Sequence, residues 1–204
     1  RDCRINRIYE GTNEINRMII PGTLMRRAMK GQLPLMDALQ KLTPEIMAFD
    51  PKAVKLGEGP LAVQQQMIKM CKKIGLMTAG LAAMKFMDKL ANEQETMGYI
   101  SDIMIETFAM ESGCLRALKS VSVFGLEKSK YQIDAVKLYV NDALPKIEAL
   151  AKKVLAYVAE GDALTTQLAG LRKLTFYTPI NTVALTRGLA DRIIELERYP
   201  LTLS

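Results

Sequence analysis

The chain has 204 residues, 49% hydrophobic and 25% charged, enough for a packed core and typical of neither disordered nor fibrous sequences. It contains no His and no Trp, which excludes a Ser-His-Asp triad, a Cys-His pair and every His-bearing zinc motif within these residues. Its 28 Lys and Arg against 22 Asp and Glu leave a formal charge of +6, so any chemistry rests on carboxylates, hydroxyls, thiols or backbone groups.

Residues 1–33 form a first zone, basic and with helix signals. Seven bases (Arg1, Arg4, Arg7, Arg17, Arg26, Arg27, Lys30) and three acids (Asp2, Glu10, Glu14) place +4 in the first 30 residues. Such a surface suits phosphates or anionic partners. Without interleaved aromatics or a reader motif, it is not read as a nucleic-acid site. Within it, Gly11 interrupts a helix and permits close approach of a ligand to the backbone. Thr12 or Asn13 can cap a new helix whose first N–H groups favour an anion. Glu10 precedes this turn beside Ile8 and Tyr9. Projected into a cavity it would suit general-base work. The competing reading is an exposed Glu in a loop before a helix.

Residues 34–60 read as a joint rich in breakers: Pro34, Pro44, Pro51, Gly57, Gly59 and Pro60. Residues 61–204 then read as an all-α bundle of long antiparallel helices, favoured by 13 Met with few aromatics. From Leu61 to Ala91 the residues Met67, Cys71, Ile74, Met77, Leu81 and Met84 recur at three- and four-residue steps. Asn92 with Glu95 resembles a capping box opening the next helix, with Ile100, Ile103, Thr107, Met110, Cys114, Leu118 and Val121 inward and Gly125 closing it. A third helix spans about Ser129 to Ala159, with Ile133, Val136, Val140, Leu144, Ile147, Val154 and Val158 inward and a kink expected at Pro145. Gly161-Asp162 stops it and caps a shorter helix, and Thr178-Pro179 starts the last one, which carries Val183, Leu185, Leu189, Ile193 and Leu196.

Cys3, Cys71 and Cys114 are odd in number and far apart, with neither disulfide nor metal-ligand spacing. They suggest a reducing compartment, with Cys71 and Cys114 as buried structural thiols. No apolar run approaches the roughly 20 residues of a membrane span, and the start lacks a signal-peptide pattern. The chain also begins at Arg1 without Met, as a piece of a longer protein would.

The stretch Ile8-Tyr9-Glu10-Gly11-Thr12-Asn13-Glu14-Ile15-Asn16-Arg17 closely resembles the signature near the end of the catalytic core of flavin-dependent acyl-CoA dehydrogenases. The resemblance implies that Glu10 takes the α-proton of a fatty acyl-CoA thioester while FAD accepts a β-hydride. It places Gly11 against the substrate and Thr12, Asn13 and Glu14 near the FAD. Residues 1–33 would then be the last segment of that core, 34–60 a linker, and 61–204 an added bundle similar to that of the very-long-chain branch. In that branch the extension supports a homodimer and membrane contact. Here the joint lacks a long basic amphipathic helix, which argues against the membrane. The family further implies an electron-transferring flavoprotein as acceptor. Its location is cytoplasmic in a bacterium and mitochondrial in a eukaryote. Since the β-domain that would enclose flavin is missing, the chain reads as a C-terminal fragment, inactive alone. The alternative is a non-catalytic helical module for self-association or membrane contact.

Overall fold

The computed structural model describes residues 2–201. A short 3-10 helix (Asp2–Arg7) precedes seven α-helices: α1 (Asn13–Met29), α2 (Leu35–Ala48), α3 (Ala62–Phe86), α4 (Gln94–Phe124), α5 (Lys130–Val158), α6 (Gly161–Leu174) and α7 (Thr182–Leu196). A second 3-10 turn, Met87–Asn92, links α3 to α4, and the described residues contain no strand. The all-α expectation holds.

Helices α3, α4 and α5 pack on one another as the centre of the bundle. Their apolar stripes meet in one core that includes Cys71, Ile74, Ile103, Met110, Val140, Leu144 and Ile147. Burying each large side chain there is worth about 1.5–3 kcal/mol. Hydroxyls inside the core are satisfied locally. Thr78 donates to the carbonyl of Ile74 (2.9 Å) and Thr107 to that of Ile103 (2.7 Å). Ser120 and Ser129 share a 2.6 Å bond that closes the α4–α5 turn.

The predicted inward set of the first long helix fails at one residue. Met84 is 63% exposed, while Ala82 is buried. A helix turns roughly 100° per residue, so a stripe begun at Met67 has drifted onto another face after four turns. The cap assignments fail too. Asn92 and Glu95 form no capping box, because a 3-10 turn occupies 87–92 and α4 opens after Glu93 without a side-chain cap. The Glu93 carboxylate instead accepts a 2.9 Å bond from the Tyr157 hydroxyl. Asp162 lies inside α6 rather than capping it. Thr178-Pro179 stays outside α7, which begins after Asn181, whose Oδ1 accepts from the Ala184 N–H (3.0 Å). Pro145 lies within the unbroken span of α5.

The 34–60 stretch holds more structure than its breakers suggest. Pro44 sits inside α2, which packs on α3 and α6. That packing is close because two glycines face it. A Cβ on Gly80 would overlap the Leu39 side chain, and one on Gly170 would sit 3.0 Å from Ile46 Cγ2. Lys173 of α6 donates to the carbonyls of Ile46 (3.4 Å) and Met47 (2.7 Å), satisfying the open end of α2. Lys73 of α3 pairs with Glu45 at 2.7 Å. Helix α1 in turn packs along α4, and this contact positions the turn that precedes it.

Candidate functional site

The 3-10 helix leads into Ile8-Tyr9-Glu10-Gly11, where the chain reverses. Tyr9 is tied back locally, its N–H to the Ile5 carbonyl (3.3 Å) and its hydroxyl to Asn6 Oδ1 (2.9 Å). Glu10 and Gly11 then adopt φ of 56° and 92° in succession. For Glu that conformation costs about 1–2 kcal/mol, a local strain of the kind that clusters at functional sites. At Gly11 it is routine. A Cβ there would also come within 3.1 Å of Asn16 Oδ1.

Two side chains lock the turn onto α1. Thr12 Oγ1 accepts the Ile15 N–H (3.2 Å), and the Asn16 side-chain amide donates to the Gly11 carbonyl (3.0 Å). Thr12 is thus the N-cap, one of the two residues expected for it. The N–H groups of Asn13 and Glu14, first in the helix, keep no intrahelical acceptor, as is general at a helix start.

Helix α1 is clamped in place by Arg17. Its Nε meets Asp102 Oδ1 of α4 at 2.5 Å, and its Nη1 donates to the Asn13 carbonyl (3.3 Å). The buried Ser101 hydroxyl donates to the Arg17 carbonyl. Neither Ser101 nor Asp102 was legible as a partner of this segment. They lie some 85 residues away with no motif to mark them.

Glu10, Gly11 and Glu14 are exposed, with Thr12 and Asn13 half-buried beside them. The structure therefore brings the five predicted residues into one turn and leaves that turn open. Around it Ile5, Ile8 (69% exposed), Tyr9, Ile15 and Ile19 form an uncovered apolar strip. The groove of about 320 Å³ between α1, α3 and α4 is a separate feature, lined by Pro21, Met25, Cys71, Met97 and Phe108 among others, and by none of residues 10–14.

Burial governs the thiols. It pushes Cys71 up to about 12 and raises Cys114, the latter with help from the Glu111 charge. Both are buried and free, as expected, while Cys3 is exposed. No helix of the described residues is long and apolar enough to cross a membrane.

Residues 70–173 match the family described as "Acyl-CoA dehydrogenase, C-terminal domain". That is half the chain, the central α3–α6 part of the bundle. The chain belongs to this family. It is 43% identical over 199 residues to a Bacillus subtilis (strain 168) protein described as "Probable acyl-CoA dehydrogenase", covering 98% of this chain and 33% of that protein. A crystal structure of an acyl-CoA dehydrogenase complexed with FAD, from Bacillus anthracis, superposes with a TM-score of 0.94 at 48% identity, covering 99% of this chain and 34% of that one. The acyl-CoA dehydrogenase C-terminal domain seen here thus spans about a third of the length of these relatives. Matching over 98–99% of this chain carries the likeness through the turn at Glu10 as well as the bundle.

Proposed function

We propose that this chain is the C-terminal part of a flavin-dependent acyl-CoA dehydrogenase of the very-long-chain type, acting on fatty acyl-CoA thioesters. The observation that carries the reading is the Glu10 turn: a carboxylate at left-handed φ, exposed ahead of a capped helix. It is supported by likeness to a protein solved with FAD.

In this reading the Glu10 carboxylate takes the α-proton of the thioester. Gly11, without a side chain, lets the substrate lie against the backbone. Thr12, Asn13 and Glu14 border the cofactor, and the free N–H groups of Asn13 and Glu14 suit a phosphate-bearing group. FAD, when bound, supplies the acceptor for the β-hydride. The local excess of +4 over residues 1–30 suits two phosphate-rich partners, FAD and CoA. The open apolar strip around Ile8 and Ile15 is the face that the remaining catalytic region covers.

The finer parts of the reading rest on the resemblance of the Glu10 stretch alone. Residues 1–33 close the catalytic core, 34–60 join it to the bundle, and 61–204 support a homodimer. An electron-transferring flavoprotein receives the electrons. The enzyme works in a bacterial cytoplasm, or in the mitochondrion of a eukaryote. The chain by itself does not turn over substrate.

Replacement of Glu10 in the full-length enzyme tests the assignment. Glu10→Gln should slow α-proton exchange of a bound acyl-CoA in deuterated water by about a thousandfold, with flavin absorbance retained. Exchange at the original rate would remove Glu10 from the role.

A second reading, a self-association module, draws on Phe108 and Leu115, large apolar residues exposed one above the other on α4. Sedimentation of the chain as a monomer at all concentrations would discard it.

A further inference from the structure

A second cleft in the bundle has no part in the chemistry above. It measures about 510 Å³ and lies between the 49–63 segment, α3, α5 and the link from α6 to α7. Ligand sites in proteins have this size, with mostly apolar walls and a few placed polar groups. Its apolar walls include Phe49, Leu56, Met67, Met70, Phe176 and Ile180.

Its charged groups are of one sign. Lys137 and Lys173 line it, and no Asp or Glu does. Lys173 spends two of its three donors on the carbonyls of Ile46 and Met47 and keeps one. Lys137 forms no ion pair among the described residues. Gln64 is 5% exposed and lines the same cleft, and its side-chain amide has no hydrogen-bond partner among the described residues. The amide atoms keep contact with solvent and offer the cleft a donor and an acceptor. The groove between α1, α3 and α4 differs, since its Lys72 is already neutralised by Glu111 at 2.5 Å.

We infer that this cleft is a binding site for a small organic carboxylate with an aromatic or branched apolar body. The body lies among Phe49, Met67, Met70 and Phe176. The carboxylate meets the ammonium groups of Lys137 and Lys173, and the Gln64 amide hydrogen-bonds to the ligand. The site is separate from the turn at Glu10 and does not depend on the role given to that residue.

Naphthylacetate is a suitable probe, read by NMR of the chain labelled with ¹³C at its methionine methyls. Met67 and Met70 should shift saturably, with Met97 and Met104 of the other groove unmoved. The matching neutral alcohol should bind about tenfold more weakly or worse, and the matching amine more weakly still. Lys137→Gln should weaken the carboxylate by a similar factor. Val63→Trp, at an exposed residue on the rim, should block it. Both variants lie away from the buried core, and an unchanged circular dichroism spectrum confirms their fold. The inference is overturned by the absence of saturation, by shifts confined to Met97 and Met104, or by equal binding of the alcohol. It is also overturned if the full-length enzyme shows no shift, because polypeptide then fills the cleft.

Discussion

The bundle and the turn ahead of it are built on opposite terms. Where α3, α4 and α5 meet, the core side chains are enclosed, and the hydroxyls of Thr78 and Thr107 find carbonyls within their own helix. Around Glu10 the apolar side chains are open, the backbone is strained at a non-glycine residue, and order comes from a handful of polar bonds. One region is stabilised by what it buries. The other is held by what it is attached to. The comparison teaches that stability and chemistry in this chain are separable, and substitutions should separate them.

The largest effect belongs to the bundle. Ile147→Ala removes a fully buried side chain and should cost about 2–5 kcal/mol in urea unfolding. A loss comparable to a surface change would deny that α5 faces the core there. Gly80→Leu should cost about 1–3 kcal/mol by forcing α2 off α3. Faster hydrogen exchange along 35–48 than along α4 would locate the damage.

The buried thiol gives a pH test. Cys71 has its pKa raised from 9.0 to about 12 by burial, so the folded state holds its proton where the unfolded state has lost it. Its contribution is complete below pH 9.0 and is lost as the pH rises towards 12. Stability should therefore fall over that interval, by up to about 1.4 kcal/mol per pH unit from this group. Cys71→Ala should flatten that slope, and an unchanged slope would assign it elsewhere.

The turn should respond more weakly. Thr12→Ala loses the cap of α1 and should cost about 1 kcal/mol. Smallest, and opposite in sign, Glu10→Gly should stabilise by a few tenths to about 1 kcal/mol, because glycine takes the left-handed conformation without strain. A loss of stability would mean that the Glu10 side chain supports the fold.

Much of this division was legible from residues alone. The apolar stripes through Met67–Met77, Ile100–Cys114 and Ile133–Ile147 mark the helices and their buried faces, since periodicity is a local property. The glycine-bearing turn was legible for the same reason, with its cap narrowed to Thr12 or Asn13. Four features were not. Met84 misled because a stripe of three- and four-residue steps drifts around a long helix. Helix α2 was hidden by Pro44, whose cost is met by tertiary packing against Gly80 and Gly170. The clamp on Arg17 depends on Ser101 and Asp102, and no local pattern links residues so far apart. The openness of Glu10 was also beyond local reading, which left cavity and exposed loop as alternatives.

That clamp bears on motion. Arg17 stands four residues into α1, about 6 Å along its axis from the first helical residue. Any tilt of the helix pivoting there sweeps its far end widely and its near end hardly at all. Helix α4 thus serves as the reference from which the Glu10 turn takes its position, and the ion pair with Asp102 is the pin of that short lever.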